Sequence, residues 1–130
     1  MLNVLYIEDQ PDIQKILKLT LTASKKFTVE LADNGADGLR RAEELKPDVI
    51  LLDYSLPDMD GPDVLTILKR SDSVKHIPVI FLTAMTQPMD LERCRTLGAL
   101  DVITKPFSPR DLASRIETIL ASQAGQGSAP

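Results

Sequence analysis

The chain is 130 residues long, with 43% apolar and 26% charged side chains and a formal charge of -4, which suits one globular domain with a sizeable core. The acidic balance, without a Lys/Arg stripe and interleaved aromatics, argues against direct nucleic-acid binding, and no apolar run approaches the length that crosses a membrane. Cys94 stands alone, so no internal disulfide framework is expected, and with Glu8 and Asp9 interrupting any leader-like start the expected location is cytoplasmic.

In chain order, Val4-Leu5-Tyr6-Ile7 is an unbroken apolar run that ends in Glu8-Asp9 and predicts a strand buried on both faces. Pro11 then suits the first turn of a helix, with Ile13, Ile16, Leu17 and Leu21 as its apolar stripe. Phe27-Thr28-Val29-Glu30-Leu31 alternates with period two, as an edge strand does. Asn34-Gly35 breaks the chain, and a helix over 36–46 is stopped by Pro47. Val49, Ile50, Leu51 and Leu52 form the next buried strand, stopping at Asp53 before a loop rich in Pro, Asp and Gly.

Gly61-Pro62-Asp63 opens a third helix with Val64, Ile67 and Leu68 inward. Val79-Ile80-Phe81-Leu82 is another continuous strand and ends at Thr83-Ala84. A helix over 88–97 is closed by Gly98, and Asp101-Val102-Ile103-Thr104 makes a short fifth strand before Lys105-Pro106. Ser108-Pro109-Arg110-Asp111 combines an N-cap, a proline at the first helical position and an acid two further on. The last helix turns Leu112, Ile116, Ile119 and Leu120 inward. One domain over 1–121 is expected, with 122–130 as a flexible tail or the start of a linker. Strands alternating with helices predict an α/β fold, a parallel sheet with helices on both faces.

An Asp that ends one strand is most often a turn or cap residue. Here polar chemistry recurs in order at four strand ends: Glu8 and Asp9, then Asp53, then Thr83, then Lys105. In a parallel sheet these ends share one edge, and ligands bind at the crevice where the winding direction reverses. Three carboxylates so placed repel one another unless cations compensate. Lys105 supplies one positive charge, and a hard divalent ion with oxygen ligands, Mg2+ (or Mn2+), would balance the rest. Asp53 could then act as an oxygen nucleophile toward phosphorus, with Lys105 and the Thr83 hydroxyl on the phosphoryl oxygens.

Taken together, Tyr6-Ile7-Glu8-Asp9, Val49-Ile50-Leu51-Leu52-Asp53, Leu56-Pro57-Asp58-Met59-Asp60-Gly61, Leu82-Thr83-Ala84 and Thr104-Lys105-Pro106-Phe107 resemble the receiver domain of the two-component response regulators, over essentially the whole chain to about Ala121. The resemblance implies a flavodoxin-like (βα)5 doubly wound sandwich, with a five-stranded parallel sheet in the order 2-1-3-4-5. It implies that Asp53 takes a phosphoryl group from a histidine kinase or phosphotransfer protein, so that the chain catalyses only its own phosphorylation and dephosphorylation. Metal ligands would be Asp9, Asp53 and the Ser55 carbonyl, with Glu8 acting through water. Thr83, Lys105 and the Ala84 N–H would meet the phosphoryl group, and the Lys105–Pro106 bond would be cis. An output partner or effector domain is implied, as is a homodimer surface on the fourth helix, fifth strand and fifth helix. Glu8 stands where Asp is commoner, and Val102 where many members carry a Tyr or Phe switch residue. Ser55 and Met85 match the variable positions that tune phosphate lifetime.

Competing readings fare worse. A phosphatase with an aspartyl intermediate wants a second acid two residues after the nucleophile, and Ser55 is there instead. A flavin carrier of the same fold wants a Ser/Thr/Gly-rich phosphate loop, where this chain has Glu8-Asp9-Gln10-Pro11. The remaining alternative is a receiver-fold interaction module that works without phosphorylation. His76 reads as a loop residue, and Cys94 and Tyr6 read as packing residues.

Overall fold

The computed structural model describes residues 1–84, 88–105 and 107–127. Among the described residues ten elements alternate: β1 (Leu2–Ile7), α1 (Pro11–Ala23), β2 (Phe27–Ala32), α2 (Gly35–Leu45), β3 (Val49–Asp53), α3 (Gly61–Arg70), β4 (Val79–Thr83), α4 (Pro88–Thr96), β5 (Asp101–Thr104) and α5 (Pro109–Gly127). All five strands are parallel, in the order β2-β1-β3-β4-β5. The expected order and the expected elements are thus both present.

Side chains alternate across each strand, so the continuous apolar runs feed two cores at once. Leu5, Ile7, Ile50, Leu52 and Phe81 face one side and pack with Ala42 of α2, Val64, Leu65 and Leu68 of α3 and Cys94 of α4. Val4, Tyr6, Val49, Leu51, Ile80 and Leu82 face the other, against Leu17 and Leu21 of α1 and Leu112 and Ile116 of α5. In β2 burial alternates along Phe27, Thr28, Val29 and Glu30, as its edge position demands.

Two expected core residues lie outside. Ile16 and Ile67 are 49% and 45% exposed, whereas Gln14 and Leu65 are buried. A helix buries a stripe only about 100° wide. Positions 14, 17 and 21 define it on α1 and 64, 65 and 68 on α3, so an apolar residue one place off turns outward. The last helix, α5, runs from Pro109 to Gly127.

The loop after β3 is pinned at both ends. Gly61 donates its N–H to the Tyr54 carbonyl at 2.6 Å. A Cβ on Gly61 would stand 2.5 Å from the Asp53 carbonyl oxygen and 2.7 Å from Phe81 Cε1, so α3 can start against the end of β3 only if this residue is glycine. Further back in the loop, the Asp58 carboxylate accepts from Gly35 N at 2.7 Å and Ala36 N at 2.9 Å. Those bonds hold its pKa below the usual range. Asp58 and the Asn34 side chain, which accepts from Asp37 N at 2.7 Å, together cap α2. Urea unfolding is expected to show Gly61→Ala destabilised by about 2–3 kcal/mol, through overpacking against backbone, and Asp58→Ala by about 1 kcal/mol, the cost of a lost cap. A Gly61→Ala protein as stable as the parent would contradict the close approach.

Candidate functional site

Because every strand points the same way, their polar ends arrive at one edge. Leu52 of β3 lies beside Ile7 of β1, Asp53 beside Leu82 of β4, and Thr83 beside Thr104 of β5. The residues that follow or end those strands therefore meet across the top of the sheet. Asp9, Asp53, Ser55, Thr83, Ala84 and Lys105 line one open cleft of about 790 Å³, together with Asp90 and the Leu56-Pro57 turn. Glu8 lies beneath it, with no exposed surface. His76 is exposed and lies away from this edge, and Cys94 is buried in the core.

Glu8, Asp9 and Asp53 each bring a carboxylate oxygen within 4.8 Å of the others. Lys105 Nζ lies 2.7 Å from Glu8 Oε1 and 3.5 Å from Asp53 Oδ1. Burial and the neighbouring Glu8 charge push the Asp53 carboxyl up to about 7, against a smaller downward pull from Lys105. Burial acts to raise Glu8 as well, but the bonded Lys105 ammonium and the Tyr6 hydroxyl help to outweigh it, and its pKa is lowered. The site therefore holds more negative charge than Lys105 alone neutralises. That excess is chemically suited to a hard divalent cation with oxygen ligands.

The backbone ties the rim together. Lys105 N donates to the Thr83 carbonyl at 2.7 Å, which couples the start of the loop after β5 to the end of β4. Thr83 itself is 3% exposed at the cleft wall. Ser55 makes an isolated bridge with Asp60, so the loop folds back over its own start. Val102 is buried in the core on the α2–α3–α4 side. The expectations concerning Met85 and the Lys105–Pro106 bond fall outside the described residues.

Two contributors escaped the sequence pattern. Tyr6, read as core, is buried, but its hydroxyl donates to Glu8 Oε1 at 3.0 Å. Strand positions two apart share a face, which is the signal that could have linked them. Gln14 lies on the buried stripe of α1 and its amide donates to the Glu8 carbonyl and, at 2.8 Å, to Asp33 Oδ1. A lone amide in an apolar stripe was the available clue.

The Response regulator receiver domain family model matches residues 4–117. Among curated proteins, the chain is 41% identical over 113 residues to the transcriptional regulatory protein KdpE of Mycobacterium tuberculosis, covering 87% of this chain and 48% of that one. It is 35% identical over 119 residues to TrcR of the same organism, covering 92% and 45%. The chain thus spans about half the length of the curated relatives it matches. Among solved structures, the chemotaxis protein CheY4 of Vibrio cholerae superposes with a TM-score of 0.85 at 28% identity, covering 92% of this chain and 98% of that one. The signal receiver domain of a histidine kinase from Syntrophus aciditrophicus gives 0.82 at 33%, covering 94% and 92%. With acids, hydroxyl and lysine at the strand ends that the motifs assigned to them, the chain belongs to the response regulator receiver domain family.

Proposed function

We propose that Asp53 accepts a phosphoryl group from a phosphohistidine on a histidine kinase or phosphotransfer protein, and that this modification switches a protein-interaction surface. One observation carries the proposal: Asp53, the Thr83-Ala84 pair and Lys105, from three separate stretches of the chain, line the same cleft. In the transfer, an Asp53 carboxylate oxygen bonds to phosphorus as the phosphorus–nitrogen bond breaks, and the imidazole keeps the electron pair. The Lys105 ammonium can leave its place near Asp53 Oδ1 to pair with a phosphoryl oxygen, and the Thr83 hydroxyl and Ala84 N–H can donate to others. Asp9, Asp53 and the Ser55 carbonyl would hold Mg2+, with Glu8 acting through water. When bound, the ion offsets the carboxylates and the charge on the transferring group.

The chain would act on no separate substrate, its catalysis being confined to its own aspartate. Phosphorylation adds roughly -1.5 to -2 charge, and the bond between Lys105 N and the Thr83 carbonyl offers a route from the cleft to β5. We place the responding surface on α4, β5 and α5, where it could meet an effector domain or a second copy. With Val102 there in place of an aromatic ring, backbone shifts would carry the change. Among the described residues no helix is long and apolar enough to cross a membrane, and a cytoplasmic location fits this role.

Incubation with acetyl phosphate and Mg2+ is expected to add one phosphoryl group to the parent protein by intact mass, none without the metal and none to Asp53→Asn. Labelling of both proteins would refute the assignment to Asp53, and labelling of neither would refute it and favour an interaction module that works unphosphorylated.

A second expectation follows from the Asp53 carboxyl, raised to about 7 from its ordinary value of 3.8. The stability gained from the protonated folded form is complete below the unfolded value and is lost as pH rises through about 7. Metal-free protein should therefore be less stable at pH 8 than at pH 5, by about 2–4 kcal/mol from this group. Asp53→Asn should abolish that dependence, and Mg2+ should restore the parent at pH 8. Urea melts at both values would show it, and parallel profiles for parent and variant would count against crowded carboxylates.

A further inference from the structure

Tyr6 has no exposed surface and lies in the core between the sheet and α1 and α5. A phenylalanine would fill the same space, so packing does not account for the hydroxyl. That hydroxyl reaches along β1 toward residue 8, two positions on and on the same face, about 7 Å away in an extended strand. It donates to Glu8 Oε1 at 3.0 Å, and the same oxygen accepts from Lys105 Nζ at 2.7 Å. The other oxygen, Oε2, accepts from Asp9 N at 3.1 Å and Gln10 N at 3.4 Å. Glu8 is thus a fully buried carboxylate held by four donors from its own chain. Lys105 stands between it and Asp53, nearer to Glu8 by the difference between 2.7 and 3.5 Å.

We propose that Tyr6 is a positioning residue, which through Glu8 sets where the Lys105 ammonium rests beside Asp53. The phenol shares Oε1 with the ammonium and fixes the Glu8 carboxylate against rotation. A glutamate can serve in this arrangement because its extra methylene carries the carboxylate to both donors. Without the phenol, Oε1 has lost one of its two donors, and the carboxylate can turn and draw Lys105 with it. The consequence for reactivity rests on the phosphorylation proposed above; the placement of Lys105 does not.

The test uses lysine labelled with 15N at Nζ in metal-free protein, with the Lys105 signal assigned by Lys105→Arg. Tyr6→Phe, which keeps the ring, is expected to shift or broaden the Lys105 ammonium resonance, and Glu8→Gln to do so as well. With acetyl phosphate and Mg2+, Tyr6→Phe should lower the saturating rate of Asp53 phosphorylation by about five- to tenfold, the scale of one ordinary hydrogen bond, since the effect reaches Asp53 only through Glu8 and Lys105. The half-saturating donor concentration should stay unchanged. In a Glu8→Gln background, Tyr6→Phe should have no further effect on either readout. An unmoved Lys105 resonance, an unchanged saturating rate in a protein that does become phosphorylated, or an equal loss in the Glu8→Gln background would each overturn the role of Tyr6. A resonance that moves as expected in a protein that never takes up phosphate would uphold the positioning and refute the proposed function instead.

Discussion

Everything at the top of the sheet depends on one imbalance of charge. Among the described residues, three carboxylates crowd within 4.8 Å while a single ammonium lies among them. Coulomb repulsion at such separations is large once water is partly excluded. The chain answers it in two ways, by holding the fully buried Glu8 with four donors and by leaving Asp53 with a raised proton affinity. Asp53 is thus the carboxyl of the cluster whose proton affinity is raised. A carboxyl perturbed in this way marks a candidate functional site.

The fold makes this crowding unavoidable. Right-handed crossovers between parallel strands bring every strand's carboxyl end to one edge, and winding outward in both directions from β1 and β3 opens a crevice between them. The two cores anchor the strands from both faces, so the groups at their ends cannot drift apart to relieve the repulsion. The loop after β3 adds a third restraint, since Gly61 presses it onto the end of the strand and Asp58 ties it to α2. Rigid elements below and a clamped loop above hold the carboxylates together at a fixed separation.

Coupling away from the site runs through the backbone as much as through side chains. Lys105 N bonds the Thr83 carbonyl, so a displacement of one strand end is felt at the next. Below the cleft, Tyr6 connects the hydrogen bonds of Glu8 to the core against α1 and α5, and Gln14 connects the Glu8 carbonyl to Asp33 at the end of β2. The buried polar network is therefore continuous with the apolar packing, which is what gives the site a defined resting arrangement.

Sequence alone determined the elements, because unbroken runs such as 49–52 and 79–82 have the length and composition of strands buried on both sides, and each stops at a polar residue. It also determined which polar groups gather at one edge, since Glu8, Asp9, Asp53, Thr83 and Lys105 all stand at strand ends and parallel pairing admits one edge for them. What only the tertiary structure decided is the share each has in the cluster: that Glu8 is buried below the cleft, that Lys105 rests nearer to it than to Asp53, and that Tyr6 and Gln14 belong to the polar network. The same holds for Ile16 and Ile67, whose exposure depends on which stripe of each helix meets the sheet. Periodicity and end residues are local properties that a chain displays along its length. Distances between charges, and the side of a helix that meets water, arise only when separate segments pack, so no local pattern contains them.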